Sequence, residues 1–183
     1  QDLIKPVVAQ TQAINGVGVS AVSIDTVRAG AIGASVGGTA GVQGSVGANV
    51  ITNTTKAYID QGAKINIATI GEHTDQSVLV AAGSDFHRLS TAGAFAGGGT
   101  AGVGGGADIA VRDANTEAYI AKAAEVMAQK DIVVTANASE SIFSVTAVGA
   151  VGGNAGIAGS VAVNVLTNTT KASDDDPRLL CRR

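Results

Sequence analysis

Two histidines stand beside carboxylates in this 183-residue chain, and they are the residue types best suited to chemistry. His73 follows Glu72 and lies close before Asp75, while His87 comes shortly after Ser84 and Asp85. Imidazole nitrogens with carboxylate oxygens can ligate zinc, and serine, aspartate and histidine are the types of a nucleophilic triad. Spacing establishes neither. The members of a triad must converge on one point with an oxyanion site, whereas neighbours along an extended chain point to opposite faces. Both histidines are therefore expected to be solvated loop residues. The sequence assigns no catalytic residue, no metal ligand and no cofactor, and it does not predict an enzyme.

Other motifs dissolve when compared with their equivalents elsewhere in the chain. "GGGTAG" (residues 97–102) satisfies the dinucleotide pattern G-x-G-x-x-G, but the matching stretches read "VGGTAG" (36–41) and "VGGNAG" (151–156), so the first glycine is one variant of a repeat. "GGGAD" (104–108) hints at a calcium nonapeptide without recurring at nine residues. Asn53, Asn168 and Asn137 open N-x-Ser/Thr sequences. Asn53 and Asn168 recur in register and are the candidate glycosylation sites, although asparagine and threonine also suit a polar corner. Asp174 to Asp176 form an acidic run expected to be solvated.

The elements that must hold these residues are repeats. "AGVQGSVGANVITNTTKA" (40–57) returns as "AGIAGSVAVNVLTNTTKA" (155–172), with a degenerate copy between them, "AGVGGGADIAVRDANTEA" (101–118). The offsets are 61 and 54 residues, and the match resumes at "VLVAA" (78–82) against "IVVTA" (132–136). The difference of seven therefore falls between Ile67 and Val78, where a loop is expected. Aligned columns such as Val46, Ala107, Val161 and Val50, Val111, Val165 are apolar, and Arg112 and Asp108 fall between them. A period of two with one apolar face predicts half-buried strands, with the Val50 column inward. The stretch 114–131 is rich in helix formers, but its partner copy alternates like a strand and stacked repeats share a backbone, so a strand is expected there too.

Composition agrees. Twenty-five glycines, no tryptophan and two prolines favour thin layers and long strands, and Gly37-Gly38, Gly98-Gly99 and Gly152-Gly153 are expected at corners with positive φ or close coil approach. The fold class is all-β, a parallel β-solenoid with several coils per 54–61 residue repeat. At ~18 to 20 residues per coil this makes about nine coils rising ~4.8 Å each. Residues 1–172 form the solenoid, with repeat cores near 36–59, 97–120 and 151–172, and residues 173–183 are a non-repeat tail. A net charge of −3 with scattered lysines and arginines gives no field for nucleic acid. Cys181 can form no internal disulfide. Residues 29–55, 89–107 and 141–170 are uncharged and contain G-x-x-x-G steps. Their serines, threonines and asparagines make helical insertion poor, so no membrane insertion is expected.

"GGTAGVQGSVGANVITNTTKAYIDQGAKI" and "AGIAGSVAVNVLTNTTKA" resemble repeats of the large leukotoxin-like filamentous adhesins of bacteria, which belong with the filamentous haemagglutinins. The resemblance spans about residues 26–172. It implies a right-handed parallel β-solenoid shaft, secreted unfolded through an outer-membrane transporter and displayed at the bacterial cell surface. It also implies secretion signals upstream of Gln1. The partner would be a receptor or glycan on a host or neighbouring cell, and the function adhesion and reach. The alternative is a membrane-active toxin segment built on the glycine-zipper stretches. The loop carrying Glu72, His73, Thr74 and Asp75 is the expected contact site, because loops on rigid scaffolds are where binding resides.

Overall fold

The computed structural model of this chain describes residues 14–67, 74–175 and 178–181. The regular elements among them are strands: β1 (Asn15–Gly37), β2 (Ala40–Ile59), β3 (Lys64–Ile65), β4 (Gln76–Gly98), β5 (Ala101–Ile120), β6 (Glu125–Ala128), β7 (Ile132–Gly152), β8 (Ala155–Asp174) and β9 (Arg178–Cys181). They form three parallel sheets, β1-β4-β7, β2-β5-β8 and β3-β6-β9. The chain is an all-β parallel solenoid of stacked, unclosed sheets. The helix-prone stretch 114–131 is the end of β5, a turn and β6, matching its partner copy.

The size of the coil corrects the sequence expectation. Asn15 pairs with Gln76, 61 residues on, and Val78 with Ile132, 54 residues on. One repeat therefore makes one coil, and the described chain holds three coils rather than about nine. Strand length is the reason. β1 spans 23 residues and β2 20, far beyond the usual ~5 to 6, because nothing interrupts the alternation between corners. At ~3.3 Å per residue each coil is a blade roughly 75 Å long, whereas three strands at ~4.8 Å make a stack only about 10 to 15 Å high.

The residues after 172, expected to leave the solenoid, continue it. β8 runs to Asp174, and β9 pairs Arg178 with Glu125 and Cys181 with Ala128. Parallel pairing engages main-chain groups that any residue but proline supplies, so losing the repeat motif does not end the ladder.

The corners fall at the glycine pairs. β1 ends at Gly37 and β2 begins at Ala40, and the same step recurs between β4 and β5 and between β7 and β8. Close approach, not positive φ, requires glycine here: a Cβ on Gly37, Gly98 or Gly152 would lie 1.8, 1.9 or 2.0 Å from the carbonyl oxygen of Ala40, Ala101 or Ala155. Just past the corner the two sheets are pressed together. A Cβ on Gly102 would meet the carbonyl oxygens of Val151 and Ala96 at 2.5 and 3.0 Å, both on the facing sheet.

The gap between the sheets then widens along the blade. Ala92, Ala94 and Ala96 are buried near the corner, and Phe86, Arg88 and Arg112 fill the middle. At the far end Val78, Val80, Ile59, Ile120 and Val126 make an apolar cluster, joined by Val17, Val19 and Ile65. The predicted columns pair as aligned, Val46 with Ala107 and Val161, and Val50 with Val111 and Val165. Their direction is reversed. Val50 is 78% exposed and Val111 37%, whereas Arg112 is 3% and Asp108 2% exposed. The columns of Asp108 and Arg112 face inward, and the Val46 and Val50 columns face out. Near the corner sheets this close leave room inside only for small residues, so the bulky β-branched side chains there, such as Val42 and Val46, occupy the outer face.

Candidate functional site

The densest chemistry lies between the sheets. Arg88 on β4 reaches across to Asp108 on β5 with two parallel hydrogen bonds, Nη1 donating to Oδ2 at 3.1 Å and Nη2 to Oδ1 at 3.0 Å. Nη1 also approaches Ser144 Oγ at 3.1 Å and Asn164 Oδ1 at 3.3 Å, both in the third coil. Ser90 Oγ donates to Asp108 Oδ2 at 2.6 Å. Burial disfavours the charge on Asp108, but hydrogen bonds from Arg88 and Ser90 and the Arg88 charge outweigh it, holding its pKa below the ordinary 3.8. One residue pair along, Arg112 contacts the Glu140 carboxylate and lies 4.0 Å over the Phe86 ring. Burial pushes the Arg112 pKa down, with Asp25 acting in the opposite sense. Planar guanidinium groups suit this gap because they pair edge-on with carboxylates and stack flat on a ring.

This seam ties sheet to sheet and coil to coil. Arg88, Asp108 and Ser90 are hydrogen-bonded to one another and almost wholly enclosed, and Arg112 meets Glu140 and the Phe86 ring without a hydrogen bond, so the arrangement can hold the blade together rather than receive a substrate. Charge in the columns between valines was the available signal for Asp108 and Arg112. It pointed the wrong way, because an inward apolar face was expected.

The expected site residues are dispersed. Ser84 faces inward on β4, while Asp85 and His87 share its outer face with His87 Nε2 3.2 Å from Asp85 Oδ1. The triad is split across the sheet, as alternation requires. His87 is nevertheless not a solvated loop residue: it is mid-strand and 4% exposed, flanked by Thr26 and Ser141 on the neighbouring strands. Glu72 and His73 lie outside the described residues. Thr74 and Asp75 form an exposed turn before β4. β3 keeps the 61-residue step, Lys64 pairing with Glu125 and Ile65 with Val126, so the extra length falls between β3 and β4 as aligned. Asn53 is within β2, not at a corner; its Nδ2 donates to Ser23 Oγ at 2.9 Å and to Asp25 Oδ2. Asn168 occupies the same column, exposed on β8. Among the described residues no group of three histidine, cysteine, aspartate or glutamate side chains could hold a metal ion.

What the blade does present is surface. On the outer face of β2-β5-β8, Gly44, Gly105 and Gly159 form the floor of a shallow trough, bounded on one side by Val46, Ala107 and Val161. Val42, Val103 and Ile157 flank the other side, all exposed. The opposite outer face carries exposed Ile32, Val36, Phe95, Phe143 and Val151. Further from the corner the trough face becomes charged: Lys56 Nζ and Glu117 Oε2 are 3.0 Å apart, and Tyr58 stacks on Tyr119 with ring centroids at 5.1 Å. Asn115 first, then Lys56, hold the Glu117 pKa below 4.5, and Glu117 raises that of Lys56. Comparisons with protein-family models, characterised proteins and solved structures find no match to this chain.

Proposed function

We propose that the chain is a structural segment of a secreted or surface-displayed bacterial filamentous adhesin, in which stacked coils set reach and their outer faces meet a host or neighbouring cell. The observation that carries this reading is the ladder. Three repeats stack in register through main-chain pairing, a geometry that lengthens by adding repeats. The exposed apolar trough supports a contact role, since contiguous exposed apolar surface marks interaction sites. Antibody raised to the purified segment should label intact cells of the source organism, and beads coated with it should adhere to target cells. Labelling only after cell lysis, together with beads that adhere no better than uncoated ones, would overturn the reading.

A second reading has one observation in its favour. The stretches around the corners, residues 29–55, 89–107 and 141–170, are uncharged in sequence, and both outer faces there carry exposed apolar side chains, which suits a membrane-active toxin segment. Release of dye from liposomes on adding the purified chain, absent for the Val46→Asp variant, would favour it over the adhesin.

A further inference from the structure

We propose that the exposed β8 edge docks a further β-coil bearing an acidic residue at the Lys171 column and no acid at the Glu140 column, and that it discriminates against a second copy of this chain. The inference rests on the ladder alone and stands whether or not the adhesin reading does. Among the described residues no strand pairs with the outer edge of β7 and β8, and all of β8 except Ser173 is exposed. Such an edge offers a row of main-chain donors and acceptors to any strand that can pair with it.

Charge decides which strand. In the ladder Lys56 stands beside Glu117 and Glu117 beside Lys171. Lys64 stands beside Glu125, their charged atoms 3.9 Å apart, and Glu125 pairs with Arg178. Both columns therefore alternate basic, acidic, basic. Other columns alternate in type: Asn49, Ala110, Asn164; Asn53, Ala114, Asn168; Ile51, Arg112, Leu166; Thr52, Asp113, Thr167. The outer coils share one pattern and the middle coil has another, which explains why the first and third sequence copies agree while the second departs. A second copy stacked in the same register would set Lys171 against Lys56 and, inside, Glu140 against Asp25, both like-charged neighbours. A coil of the middle type brings glutamate to the first column and phenylalanine to the second, as Glu117 and Phe86 do. It repeats the interface that the first coil makes with the second.

The chain itself can serve as the probe, because Lys171→Glu puts an acidic column on its own edge facing Lys56 of the next copy. Sedimentation of the purified chain at low ionic strength is expected to show weak self-association for the unaltered protein, stronger for Lys171→Gln, and strongest for Lys171→Glu. The full span should be roughly tenfold in the association constant and should disappear in high salt. Adding Lys56→Gln to Lys171→Glu should return association to the Lys171→Gln level, since Lys56 is the counter-charge in head-to-tail register. Circular dichroism confirms that each variant is folded. Association of the unaltered chain as tight as that of Lys171→Glu, or indifference of Lys171→Glu to Lys56→Gln, would overturn the proposal.

Discussion

Two adjacent residues on β5 behave oppositely because alternation sends one between the sheets and the other outward. Arg112 is enclosed against Phe86 and Glu140, so Arg112→Ala leaves a carboxylate without its counter-charge and is expected to cost about 3 kcal/mol or more in urea melts. Val111→Asp, on the outer face, should cost less than about 1 kcal/mol. Equal losses would place the strand facing in error. At the neighbouring pair, Arg88→Met alone strands Asp108 and should cost about 3 to 5 kcal/mol, whereas combining it with Asp108→Leu should recover much of that loss. Acid acts on the same bond. The Asp108 pKa is lower folded than unfolded, so its stabilising contribution is complete above 3.8 and declines as pH falls through the lower folded value. Melting temperature measured downward from pH 5 should fall for the unaltered chain and fall less for the Arg88→Met/Asp108→Leu variant.

The strands depend on glycine at two kinds of position. Gly98→Ala drives a methyl group to 1.9 Å from the Ala101 carbonyl oxygen, main chain that cannot yield without opening the corner between β4 and β5. Gly44→Ala, on the outer trough, has open space around the added Cβ. The first change should lower the melting temperature by several degrees or prevent folding, while the second should leave it unchanged or raise it slightly as the unfolded chain loses freedom. A Gly98→Ala protein as stable as its parent would mean that the corner is wider than described. The alanines and glycines near the corner set sheet separation, and the larger side chains toward β3 and β6 follow from it.

For the molecule as a whole, the coil length is set between β3 and β4. The first coil uses seven more residues than the second to cross this connection, and the register on either side is undisturbed. Removing residues 69–75 reduces the connection to the length the second coil uses, and is expected to preserve the β-sheet circular dichroism spectrum and shift the melting temperature by only a few degrees. A deletion variant that fails to fold would show that these residues belong to the ladder. If the segment carries an adhesive activity that the deletion abolishes without unfolding, the contact resides on this loop. Adhesion that persists, but is lost with Val46→Asp, assigns it to the trough.

The sequence by itself determined the strands, their parallel stacking, the glycine corners, the pairing of Val50 with Val111 and Val165, and the position of the extra seven residues. Those features rest on repetition and on a period of two, which are local and can be counted. Coil size was not legible, because the sequence shows how often a pattern returns but not how many times the chain turns before it does. The facing of the strands belonged to the tertiary structure for a related reason. A period of two separates two faces without naming which is inside, and the rule that apolar means buried fails where facing backbones come so close that Gly102 admits no Cβ. Near the corner the distance between the sheets decided that Gly102, Ala94 and Ala96 go in and Val42 and Val46 go out, and where the gap widens it left room inside for Arg88, Asp108 and Arg112.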